Sequence, residues 1–144
     1  MTATLIGRSD TATRLAIPLF LERVSAGFPS PAQDYIEQAL DLNELCVKRP
    51  AATFFVRVQG DSMIEAGIHP DDILVVDRSI RAVHGDIVIV ALDGEFTVKE
   101  LCLRPRPRLL PRNPRYQPVE VPEGSDLEVF GVVTNVIREL RRSR

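Results

Sequence analysis

The sequence predicts a mainly β protein: a single compact antiparallel β domain with a flexible N-terminal arm and one short helical segment. Three observations carry this reading. From residue 53 to residue 137 the apolar residues recur in short runs rich in Val, Ile and Phe, bounded by Gly, Pro and Asp, the composition of strands packed on a core. "ALDGEF" sets Asp93-Gly94 between two such runs, as a two-residue hairpin turn that needs positive φ. The 144 residues, 44% hydrophobic and 26% charged, suit one globular core.

The elements follow in order. Residues 1–39 read as an arm and residues 40–144 as the β-rich domain. "LAIPLFLERV" is apolar enough to pack on something, although Pro18 would interrupt a helix there. "SPAQDYIEQAL" begins like a helix, with Ser30 at the cap, Pro31 in the first turn and Gln33 completing a capping box. Ile36, Ala39 and Leu40 would share its buried face. Asp41 with Glu44 repeats the cap pattern, so a second short turn is expected before Pro50. Strands are then expected at 53–59, 73–77, 86–92, 95–103 and 127–137, with a short one at 108–110 inside a Pro-rich stretch.

Composition excludes several classes of function. No apolar run approaches the roughly 18 to 20 residues of a spanning helix, and the head lacks a basic start followed by an apolar stretch, so a cytoplasmic protein without a membrane partner is expected. Cys46 and Cys102 lack the paired spacings of zinc or redox motifs, which points to two reduced thiols, no metal and no cofactor. The net charge is −2. Arginines cluster at 104–115 and 138–144 and could meet phosphates, but no aromatic residues interleave them to stack bases. A solvated loop and a basic tail are the simpler reading.

Chemistry can begin at "VQGDSMIEAG". Gly60 allows a tight turn, and Ser62, at the start of what reads as one helical turn, can present its hydroxyl near free backbone N–H groups able to hold an oxyanion. Such a serine needs a base. His69 precedes a proline in a loop and His84 sits at a turn, so neither is an obvious one. Lys99 lies in the middle of "EFTVKELCL", where alternation puts it on the face of Thr97, Leu101 and Leu103. It is either a solvated edge lysine or a desolvated amine whose lowered pKa makes it a usable base. A Ser/Lys pair of this kind would cut an extended strand with a small residue before the scissile bond. Ala26-Gly27, ahead of Pro29 and Pro31, meets that requirement, though a flexible joint would explain the small residues equally well.

The motifs "AGFPSPAQDY", "GDSMI", "HGDIVI", "DGEFTVKEL" and "EVFGVV", in that order between Pro18 and Ile137, resemble the LexA/UmuD serine peptidase family, whose UmuD members are self-cleaving SOS mutagenesis proteins. The resemblance implies a domain of the LexA/UmuD C-terminal type. It also implies Ser62 as nucleophile, Lys99 as general base, the amides of Asp61 and Ser62 as the oxyanion hole, and Ala26-Gly27 as the bond cut in the protein itself. By the same resemblance, cleavage is stimulated by a RecA filament on single-stranded DNA, and the trimmed form serves as a homodimer with a UmuC-like translesion polymerase. Two features depart from the family: Ala26 stands where a cysteine is common, and the tail "RELRRSR" is longer and more basic.

Rival readings make different demands. A non-catalytic β-rich module binding a polymerase or nucleic acid through its arginines predicts that the chain never shortens. A LexA-like repressor needs a DNA-reading three-helix domain that the residues before 30 cannot hold. A membrane signal peptidase uses the same dyad but needs a spanning segment.

Overall fold

The structure is a computed structural model and describes residues 1–8, 16–20, 36–122, 124 and 127–141. β-Branched and aromatic runs form ten strands among these residues. They are β1 (Thr2–Arg8), β2 (Ala16–Phe20), β3 (Ile36–Asp41), β4 (Thr53–Gln59), β5 (Ile73–Asp77), β6 (Ile87–Leu92), β7 (Glu95–Cys102), β8 (Arg108–Leu110), β9 (Val119–Glu120) and β10 (Val129–Ile137). One α-helix, α1 (Leu42–Cys46), follows Asp41, whose carboxylate accepts from the Asn43 amide as the cap pattern predicts.

Eight strands make one antiparallel sheet in the order β1-β4-β5-β10-β6-β7-β8-β9. A further pairing of β1 with β7, Thr2 opposite Thr97, closes the first six of these into a barrel-like ring. Closure removes the unpaired edges that an open sheet would leave. β8 and β9 extend the wall beyond β7. The hairpin between β6 and β7 has the predicted two-residue turn, with Leu92 opposite Glu95, and Asp93 and Gly94 at φ +50° and +80°.

The core follows from strand alternation. Val56 and Val58 of β4, Leu74 and Val76 of β5, Ile89 of β6 and Val98 of β7 meet Ala3, Met63 and Ile68 in one buried cluster. Val88, Val90, Leu101, Leu109 and Val132 form a second. β6 feeds both clusters, Ile89 on one face and Val88 and Val90 on the other, which is why its sequence is continuously apolar rather than alternating. On β10, Gly131 lies where a Cβ would come within 2.6 Å of Val76 Cγ1, so the side chain is absent for lack of room.

The structure corrects two expectations near the N-terminus. Residues 36–41 form a strand, not the second half of a helix: Ile36–Asp41 pairs antiparallel with Ala16–Phe20 in a separate two-stranded ladder. The partner strand supplies long-range hydrogen bonds that outweigh the local capping signal at Ser30, which itself lies outside the described residues. The first residues are also more than an arm, because β1 belongs to the main sheet and pairs with β4 from Thr2 opposite Gln59 to Arg8 opposite Phe54.

Candidate active site

The turn after β4 leaves the sheet ladder at Gly60, whose φ of +87° suits glycine, and enters a 3-10 turn at Ile64–Ala66 that Gly67 ends at φ +82°. Met63, with no exposed surface, plugs this turn into the barrel core. Ser62 beside it is therefore fully buried, and its hydroxyl is aimed across the ring toward β7.

β7 brings up Lys99. Its position opposite Val88 of β6 and on the face shared with Thr97 and Leu101 leaves it 8% exposed, so the solvated-edge alternative fails. Its Nζ lies 3.4 Å from Ser62 Oγ. Burial disfavours the ammonium and pulls the lysine pKa below its ordinary value of 10.5, while a hydrogen bond with the chain's N-terminal amine works in the other direction. A hydroxyl and an amine of lowered pKa thus face each other in a site screened from water.

A third group stands with them. The Met1 amine donates to Ser62 Oγ at 2.7 Å, and the Met1 carbonyl accepts from the Val98 amide at 3.1 Å and from Thr97 Oγ1 at 2.7 Å. β1 thereby fills the slot between the end of β4 and the middle of β7. Burial first, and then the Lys99 charge, lower the Met1 amine pKa from 8.0 to about 6.

The turn is also held from outside. Asp61 accepts twice on its carbonyl, from the Ile64 amide at 3.2 Å and from Asn113 Nδ2 at 3.0 Å, and its carboxylate accepts from the Tyr116 hydroxyl at 2.5 Å. The Ser62 carbonyl accepts from the Arg112 amide at 2.7 Å. Asn113 and Tyr116 were not readable as site residues. The Asn-Pro pair at 113–114 signals a turn, but not what the turn touches.

Other sequence candidates lie elsewhere. His84 is exposed and accepts from the Leu103 amide through Nδ1, and the His69 amide donates to Asp72. Three residues of the arginine clusters are engaged in ion pairs, Arg106 with Glu120, Arg112 with Glu100 and Arg138 with Asp72. Ala26 and Gly27 lie outside the described residues. Among the described residues no helix is long and apolar enough to cross a membrane, and no group of three or more His, Cys, Asp or Glu could hold a metal ion.

A buried serine facing a buried lysine across a closed sheet can be compared with known proteins directly. Residues 18–134 match the model of the family described as Peptidase S24-like. The chain is 54% identical to Protein SamA of Salmonella typhimurium over 137 residues, covering 95% of this chain and 96% of that protein. It is 56% identical to Protein ImpA of Escherichia coli, over 88% of this chain and 87% of that protein. It is 38% identical to the LexA repressor of Stenotrophomonas maltophilia, over 94% of this chain but 63% of the repressor. With the family model spanning most of its length and relatives matched nearly end to end, the chain belongs to the Peptidase S24-like family.

Proposed function

We propose that this protein cuts its own Ala26-Gly27 bond with Ser62 as nucleophile and Lys99 as general base, as a serine endopeptidase of the SOS response. The observation that carries the proposal is the 3.4 Å approach of two buried groups, Lys99 Nζ and Ser62 Oγ, in a chain of a peptidase family. Neutral Lys99 takes the hydroxyl proton as Oγ attacks the Ala26 carbonyl carbon. The amides of Asp61 and Ser62 hold the resulting oxyanion. The C–N bond then breaks as the proton passes from Lys99 to the departing Gly27 amine, and water hydrolyses the acyl-enzyme at Ser62.

In the resting arrangement Ser62 Oγ accepts from two nitrogens, Met1 N and Lys99 Nζ. For attack, Met1 must leave and the serine proton must point to Lys99. Cleavage is therefore governed by which segment occupies the slot between β4 and β7. A RecA filament on single-stranded DNA favours the cutting arrangement by binding it more tightly, and need supply no catalytic group itself. The trimmed chain, residues 27–144, acts in the cytoplasm as a homodimer that serves a UmuC-like translesion polymerase.

The test is intact-mass spectrometry of the purified chain incubated from neutral to alkaline pH, beside Ser62→Ala and Lys99→Ala. Loss of residues 1–26, faster as pH rises and absent in both variants, is expected. A wild-type chain that stays whole at every pH and with activating filament added would instead favour a non-catalytic interaction module.

A further inference from the structure

We propose that the loop of residues 111–116, through Asn113 supported by Tyr116 and Arg112, positions the Ser62 amide, one of the two oxyanion donors assigned to the nucleophile turn. The inference rests on the reading of Ser62 as nucleophile. It starts from the turn itself: residues 60–63 lie between β4 and the 3-10 turn, outside the sheet ladder that would otherwise fix their peptide planes.

A trans peptide unit is planar, so its C=O and N–H point in opposite directions. Whatever holds the Asp61 carbonyl therefore aims the Ser62 amide, and whatever holds the Ser62 carbonyl aims the Met63 amide. Asn113 Nδ2 donates to the Asp61 carbonyl at 3.0 Å, and the Arg112 amide donates to the Ser62 carbonyl at 2.7 Å. Both bonds come from the same loop and pull both carbonyls toward it.

The loop is itself pinned. Asn113 is 8% exposed, and its Oδ1 accepts from the Arg115 amide at 3.0 Å, which leaves Nδ2 as the end of the side chain that faces Asp61. The Tyr116 hydroxyl holds the Asp61 carboxylate at 2.5 Å, and the Arg112 carbonyl accepts from the Glu65 amide at 2.9 Å. The Arg112 guanidinium makes a two-pronged contact with Glu100, the neighbour of Lys99. One loop thus ties the serine turn to the strand that carries the lysine.

The experiment is the plateau rate and pH midpoint of self-cleavage, read by intact mass in the full-length chain, for wild type, Asn113→Ala, Asn113→Asp and Tyr116→Phe. Asn113→Asp keeps the acceptor for Arg115 but presents no donor to Asp61. Misaimed donors cost about 10- to 100-fold in rate. That fall is expected for both Asn113 variants, with a smaller one for Tyr116→Phe. Asn113→Ala and Tyr116→Phe keep the pH midpoint of wild type, because Lys99 stays as buried as before, while Asn113→Asp, which adds a carboxylate, is read by its plateau rate. Wild-type plateau rates in both Asn113 variants would overturn the proposal. So would a fall that comes with a moved midpoint in Tyr116→Phe, whose exposed ring leaves the core untouched and whose fold serves as the control if Asn113→Ala unfolds. A wild-type chain that never cuts defeats the dyad reading along with this one, whereas a cutting wild type with unaffected variants defeats only this one.

Discussion

Lys99 Nζ stands 3.4 Å from Ser62 Oγ, and each residue is less than a tenth exposed. A charge held there is costly, so the arrangement lowers stability. Lys99→Met keeps the length of the side chain and removes the charge. It is expected to abolish cleavage and to raise stability at pH 7 by about 1 kcal/mol. The pH dependence has a definite sign. Because the folded pKa lies below 10.5, the unfolded chain binds more protons between the two values, and wild-type stability rises with pH across that window. Thermal unfolding across alkaline pH checks both points: the wild-type Tm should climb there and the Lys99→Met Tm should not follow it.

Thr97 Oγ1 donates one of the two hydrogen bonds that hold the Met1 carbonyl, and the Val98 amide donates the other. Thr97→Val preserves shape and removes the first. With a hydrogen bond worth roughly 0.5 to 1.5 kcal/mol, Met1 should vacate the slot more often and cleavage should quicken about three- to tenfold. Single-turnover rates at one fixed pH decide it, and a slower variant would show that β1 does not obstruct Ser62.

Arg138 grips the buried Asp72 carboxylate with Nε at 2.7 Å and Nη2 at 2.6 Å, and the His69 amide adds a third bond at 2.8 Å. Burial alone would raise the Asp72 pKa, but these bonds outweigh it and hold it below 3.8. The pair's contribution is therefore complete above pH 3.8 and lost as pH falls through the depressed value. Arg138→Met strands the carboxylate and should lower stability near pH 7, and by less as acid protonates Asp72 in both chains. Urea midpoints at pH 7 and pH 3 report the difference.

Gly131→Ala should lower stability by about 1 to 3 kcal/mol, since its methyl would press on Val76 Cγ1 at 2.6 Å and on the Asp77 carbonyl at 3.2 Å. Denaturant unfolding measures it directly. A neutral result would mean that β5 and β10 can part without loss.

The parts of the fold that local pattern controls were legible. β4 and β5 begin and end where β-branched runs meet Gly, Pro and Asp, and the Asp93-Gly94 turn needed only its own two residues. Ser62 could be suspected from a turn composition, and Lys99 from its place on an alternating strand. What decided the fate of Lys99 was not local: β1, nearly a hundred residues away in sequence, closes the ring beside it. β1 itself carried a signal, since "TATLIGR" contains Thr, Leu and Ile in strand-like order. At Ile36–Asp41 a capping pattern competed with a pairing to Ala16–Phe20, and the distant partner prevailed. Asn113 and Tyr116 stayed hidden because they act on Asp61 from more than fifty residues downstream.

β1 is fastened to its neighbours by backbone hydrogen bonds along β4 and at Val98 and by the Thr97 hydroxyl, not by the covalent link through residue 26. A cut at Ala26-Gly27, made while Met1 is out of the slot, would sever that link and leave the strand free to return to those bonds. The first product would be a nicked complex, shortened by mass yet capped again, in which the released peptide behaves as a ligand with its own dissociation constant. Dilution would then complete what proteolysis begins, and the delay between the two would give the protein a timer set by the strength of one strand.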